Sequence, residues 1–180
     1  MFIPLIQKRR SIRRFLKKPV ESEKIELLIE AALRAPSSRG LNPWEFIVVT
    51  DRELLKKLSK AKIHGSAFLK NAALGIVVCA DPDKCDVWIE DATIASIFIH
   101  LAAESIGLGS CWIQIRERMH NDTVTSDEYV SKILNIPGNI KVESILAIGY
   151  PAEKKHPHTK EALHYEKVHN NLFGIALFPP

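Results

Sequence analysis

Between residues 92 and 103 the chain reads ATIASIFIHLAA, in which only Thr93, Ser96 and His100 are polar. A helix of that composition has almost no face to offer water, so other elements must wrap it. The helical pattern extends over 88–106, and Gly107 and Gly109 end it. The flanking segments say what does the wrapping. "ALGIVVCA" (73–80) is apolar throughout, as a central strand is, and "SCWIQI" (110–115) reads as a second strand. The chain must therefore pack a buried helix against a sheet.

The remaining elements fit around that unit. Pro4 suits the first turn of a short helix reaching about Lys8. Ser22 is placed to cap a helix whose apolar residues Ile25, Leu28, Ile29 and Ala32 recur at helical spacing, and Pro36 stops it. "EFIVVT" (45–50) is a strand, and Asp51 is placed to cap the helix carrying Leu54, Leu55 and Leu58. Residues 116–124 are polar and loop-like. "SDEYVSKIL" (126–134) is a short helix, followed by a Pro137-Gly138 turn and a strand at "ESILAIGY" (143–150). With 180 residues and no repeat or break in composition, one domain over 1–180 with at least four strands is expected. The tail "NNLFGIALFPP" is apolar with no later residues to cover it. It must fold back or lie on a second subunit.

Cys79, Cys85 and Cys111 are odd in number and lack a C-x-x-C pairing, so they read as buried free thiols. No apolar run approaches a membrane-spanning length, and "MFIPLIQKRR" has the wrong order for a signal peptide. A cytoplasmic protein is expected.

The chemistry is concentrated in "RRSIRRF" (9–15). Extended backbone would align Arg9, Ser11 and Arg13 on one side and Arg10, Ile12 and Arg14 on the other. A nucleic acid, a membrane surface or a single phosphate could each use such charge. The net charge is only +4 and the acidic residues are spread along the chain, so the segment points to a local anion. Arginine's planar fork matches phosphate. "APSSRGLNPWEF" (35–46) adds two serines and free backbone N–H groups after a helix end. His156, His158 and His164 lack accompanying cysteines or paired carboxylates, so no metal is expected, and His100 reads as a satisfied core histidine. Neither standard nucleotide motif occurs, and no catalytic triad has a local signature.

Five stretches in order, "RRSIRRF", "APSSRGLNPWEF", "ESIGLGSCWI", "ILNIPGNIKVESILAIGYPAE" and "HPHTK", resemble the nitroreductase family of flavin enzymes from residue 5 to about 165. The resemblance implies an α+β fold with a mixed central sheet and an intertwined homodimer. It also implies FMN at the subunit interface, reduced by NADH or NADPH and reoxidised by a nitroaromatic, quinone or similar small acceptor. By position, Arg9, Arg10, Ser11 and Arg13 would serve the flavin phosphate, ribityl chain and pyrimidine edge. Pro36, Ser37, Ser38 and Asn42 would reach it from the partner subunit. Trp112, Ile113 and Gln114 would flank the ring near N5, and His158 and Lys160 would complete the phosphate clamp. Residues from about 164 to 180 would form an arm on the partner. No protein side chain would act as acid, base or nucleophile. The chain departs from the usual pattern at Gly40, where Asn is common, and at His158, where Lys or Arg is common. Flavin reductases, flavin-cleaving and dehalogenating relatives are alternatives, as are a non-catalytic flavin sensor and a small nucleic-acid-binding domain.

Overall fold

The computed structural model describes residues 2–178. Four strands, β1 (Trp44–Val49), β2 (Leu74–Ala80), β3 (Gly109–Gln114) and β4 (Lys141–Gly149), form one sheet in the order β1-β2-β4-β3. All three pairings are antiparallel. The mixed character expected of the sheet is confined to one parallel bridge, between Ser11 and Ser110. Continuously apolar β2 and the largely buried β4 take the two central places, which leaves β1 and β3 as edges.

Alternation along the strands divides the core in two. One face carries Val77, Ile113 and Ile145 beneath α3 (Arg52–Leu58) and α5 (Ser126–Leu134), which contribute Leu55, Leu58 and Val130. The other carries Ile76, Val78, Leu146 and Ile148 beneath α4 (Trp88–Ser105) and α2 (Ser22–Leu33), which contribute Ala92, Ile99, Leu28 and Ala32. A seven-residue α1 (Phe2–Lys8) precedes them.

Local signals hold at most helix ends. Asp51 accepts the Leu54 N–H at 2.8 Å. Thr125 and Glu128 form a reciprocal capping box on α5, a cap that the reading of a helix over 126–134 does not name. Ser22 corrects one expectation. It is the first helical residue of α2, Glu21 stands at the cap, and Glu21 makes no side-chain capping bond. A second correction concerns α4. Its inner face is buried at Ala92, Ala95, Ser96, Ile99 and Ala103, but Ile94, Ile97 and Phe98 on its outer side stand exposed. One chain does not have enough elements to wrap this helix.

The arginine-rich segment is extended. Ile12 N–H donates to the Ser110 carbonyl at 3.0 Å, Leu16 N–H to that of Tyr150 at 2.8 Å, and Ala152 N–H to that of Arg14 at 2.8 Å. Ile12 is driven into the core so closely that a Cβ built on Gly109 would sit 2.9 Å from its side chain. Gly109→Ala is expected to destabilise the fold by about 1–3 kcal/mol through overpacking. Chemical denaturation checks this.

All three cysteines are free and buried. Among the described residues, no helix is long and apolar enough to cross a membrane.

Candidate functional site

Seen from the arginine segment, two groups of the expected residues separate. Arg9, His158 and Lys160 line one cavity of about 710 Å³, together with apolar Ile6, Leu163 and Tyr165. The tail brings His158 and Lys160 there because β4 ends beside the extended segment, which runs back along it from the Phe15–Pro151 bridge. Three cationic or imidazole side chains thus converge from residues about 150 positions apart in sequence. Arg10 turns away, and its guanidinium donates to the His156 carbonyl. That bond ties the tail to the arginine segment.

Ser11 and Arg13 lie further along. The Ser11 carbonyl accepts from Lys155 Nζ at 2.7 Å. Its side chain, Arg13 and Lys155 all favour a Cys111 thiolate, but burial outweighs them and raises the thiol's pKa. The Arg13 guanidinium lies 5.8 Å from the centroid of the Phe68 ring, within cation–π range. Glu153 fixes the backbone here, with one carboxylate oxygen accepting the Arg13 N–H at 2.5 Å and the Arg14 N–H at 3.1 Å. Those bonds hold its pKa below the usual carboxylate range.

Trp112 and Gln114 share one side of edge strand β3. The indole N–H can only donate, so the Gln114 carbonyl oxygen must face it, and they lie 3.0 Å apart. The Gln114 amide nitrogen then donates to the Arg116 carbonyl at 3.1 Å and lies 3.4 Å from both Glu143 oxygens. Glu143 is 3% exposed, and burial pushes its carboxyl upward against the Gln114 bond. Ile113 points into the opposite core.

Pro36, Ser37, Ser38 and Asn42 occupy the connection between α2 and β1, and the Arg9 cavity contains none of them. Ser37 Oγ donates to Asn42 Oδ1 at 2.7 Å and accepts the Asn42 N–H at 3.0 Å. Asp91 anchors the loop from the first turn of α4, accepting the Ser38 N–H at 2.9 Å and the Cys85 thiol at 3.4 Å.

Sequence reasoning misses Asp91, Glu143, Glu153 and Lys155. An acid in a first helical turn is a common dipole partner, so nothing local marks Asp91 as a loop anchor. Glu143 leaves one signal, as a charge directly before the apolar run Ile145–Ile148.

His100 behaves as a core histidine. It is buried, and its Nδ1 shares a 2.7 Å hydrogen bond with Ser110 Oγ. Burial, then the Arg9 charge, lowers its pKa from 6.5 to about 4. The folded state therefore holds this imidazole neutral. The unfolded chain takes up the proton near its ordinary value, so the stability is complete above pH 6.5, falls as pH drops toward 4, and levels off below. Wild type should lose up to about 3 kcal/mol across that window relative to His100→Gln. Paired denaturation curves at pH 7 and pH 4 check it.

Comparison with known proteins supplies the family. Residues 6–93 and 64–150 match the profile described as Nitroreductase family. A solved structure described as an FMN-dependent nitroreductase from Clostridium difficile R20291 superimposes with a TM-score of 0.94 at 50% identity, covering 95% of this chain and 99% of its own. The NADPH:FMN oxidoreductase from Vibrio harveyi, solved with NAD+, superimposes with a TM-score of 0.80 at 28% identity, over 96% of this chain and 77% of its own. A Bacillus subtilis protein named FMN reductase [NAD(P)H] is 28% identical over 90% of this chain and 72% of its own length. With the profile spanning most of the chain and a near-full-length structural match at half identity, this protein belongs to the nitroreductase family.

Proposed function

We propose that the protein is an FMN-dependent oxidoreductase that carries two electrons from NADH or NADPH to a nitroaromatic, quinone or similar small acceptor. The observation carrying this reading is the convergence of Arg9, His158 and Lys160 on one cavity at the start of the extended arginine segment. Their donors suit a single phosphate. Arg13 stands four residues further on, about 13 Å away at the rise of an extended chain. That length suits a ribityl phosphate and the first ring beyond it. Relatives named as FMN-dependent nitroreductase and NADPH:FMN oxidoreductase support the same reading.

The residues divide the work. Arg9, His158 and Lys160 would bind the phosphate. Ser11 and Arg13 would meet the ribityl chain and the pyrimidine edge. Trp112 and Gln114, bonded directly to each other with Gln114 also held by Glu143, would present a rigid edge beside the ring. FMN, when bound, supplies the electron transfer itself, and the protein orients it and excludes side reactions.

Two observations support a homodimer with composite sites. The exposed Ile94, Ile97 and Phe98 of α4 want a partner, as does the apolar tail. The serine loop lies outside the Arg9 cavity, so a partner's copy would complete the site. In that assembly the tail from 164 onward would form an arm on the partner subunit, residues 179 and 180 lying outside the described residues.

The purified protein is expected to release FMN on denaturation, identified by chromatography. FAD, or no flavin after incubation with excess FMN, would sink the reading. One flavin face must serve both substrates in turn, so double-reciprocal plots for nicotinamide and acceptor should be parallel. Intersecting lines would point to a ternary complex instead.

A further inference from the structure

Arg14 has no role in the flavin reading. Its side chain lines a second cavity, of about 570 Å³, with Arg13, Lys17, Arg52, Lys70 and Asn71 around buried Phe15. Three separate stretches supply these groups: the extended segment, the first residue of α3, and the end of a 3₁₀ turn at Ala67–Asn71. Arg52 is held in place by donating to the Ala72 carbonyl at 3.1 Å.

Among the described residues, none of the five cations forms an ion pair with a carboxylate. The neighbouring acids are already engaged: Asp51 accepts the Leu54 N–H at 2.8 Å, and Glu53 lies 3.7 Å from Lys56. Glu153 takes the Arg13 and Arg14 backbone N–H groups and lies 3.7 Å from Lys155. Five like charges around one concavity repel one another and raise the local concentration of anions. Arginine forks, lysine point charges and an amide N–H are together the donor set that phosphate oxygens accept. A nucleic-acid strand would need the charge to continue beyond the cavity with exposed aromatic platforms, and here the one aromatic is buried.

We propose that this cavity binds a phosphate group carried by a small molecule, beside and distinct from the flavin phosphate clamp. Two sources share this chemistry: the 2′-phosphate of NADPH, reaching past Arg13 from the flavin, or a separate phosphate-bearing compound. The first rests on the flavin reading above, and the second does not.

Calorimetric titration of inorganic pyrophosphate into the protein as purified tests the site. Among the described residues the Lys17 and Lys70 side chains form no ion pair, so Lys17→Ala/Lys70→Ala is expected to fold normally. Wild type should bind pyrophosphate, and the double variant should bind at least about tenfold more weakly. Lys132→Ala, on α5, should behave as wild type. A selective fall in kcat/KM for NADPH, with NADH unchanged, assigns the site to the donor. Unchanged kinetics with both donors, alongside weakened pyrophosphate binding, assigns it to a separate compound. Protein lacking flavin would defeat the flavin reading and leave the pyrophosphate result standing. No binding to wild type, or equal affinity in the double variant, overturns the proposal.

Discussion

Arg9→Ala is expected to weaken FMN binding by about tenfold to a hundredfold, because a hydrogen bond to a charged group is worth about 1.5–3 kcal/mol and each 1.4 kcal/mol is tenfold. Arg9 shares its cavity with His158 and Lys160, so the loss falls on the phosphate end and leaves the ring environment intact. Arg13 makes the informative contrast. If Arg13 meets the pyrimidine edge of the flavin as proposed, its fixed guanidinium would favour the negative charge that a reduced flavin carries there. At an effective dielectric near 20, a charge pair at about 4 Å is worth roughly 4 kcal/mol before solvent screening. A quarter of that moves a two-electron potential by roughly 20 mV. Arg13→Ala should therefore lower the midpoint potential and weaken binding less than Arg9→Ala does. Flavin titrations and dye-equilibrated potentials on both variants check this. A potential unchanged in Arg13→Ala but shifted in Arg9→Ala would mean the two assignments are reversed.

Phe98→Asp is expected to convert a dimer of about twice the 20.3 kDa chain into monomers that have lost their flavin. Phe98, Ile94 and Ile97 form a bare apolar strip on the longest helix. Phe173 is 93% exposed and Leu172 71% exposed in the tail. Burying one such side chain is worth about 1.5–3 kcal/mol, and a charge in its place must also be desolvated. If the serine loop completes a partner's site, losing the dimer also empties the flavin sites. Light scattering beside flavin absorbance reads both quantities. A monomer that keeps its flavin would remove the composite-site argument.

Much of the fold was legible in the chain because its signals are local. Asp51 caps α3, Val77 and its neighbours read as a central strand, and the period-2 spacing of Arg9, Ser11 and Arg13 reads as an extended segment. Ser22 misled because a hydroxyl one residue inside a helix looks, in sequence, like one at its cap. The candidate site was less legible. Arg9 with Arg13 carries a spacing that the eye can find, and the family resemblance pointed to His158 and Lys160. Asp91 and Glu153 carry no such mark, because their work is to accept backbone N–H groups from residues distant in sequence.

The sequence by itself determined where the main helices and strands lie and that one long helix is apolar enough to need burial against a sheet. These follow from periodicity and capping chemistry, which neighbours along the chain settle among themselves. Only the tertiary structure decided that Arg9 and Arg13 border different cavities and that Arg14 joins Arg52 and Lys70. It also decided that the outer face of α4 stays bare within one chain. Those outcomes depend on sheet order and on the direction of a side chain after packing. Long-range burial sets both, and no short stretch of residues encodes it.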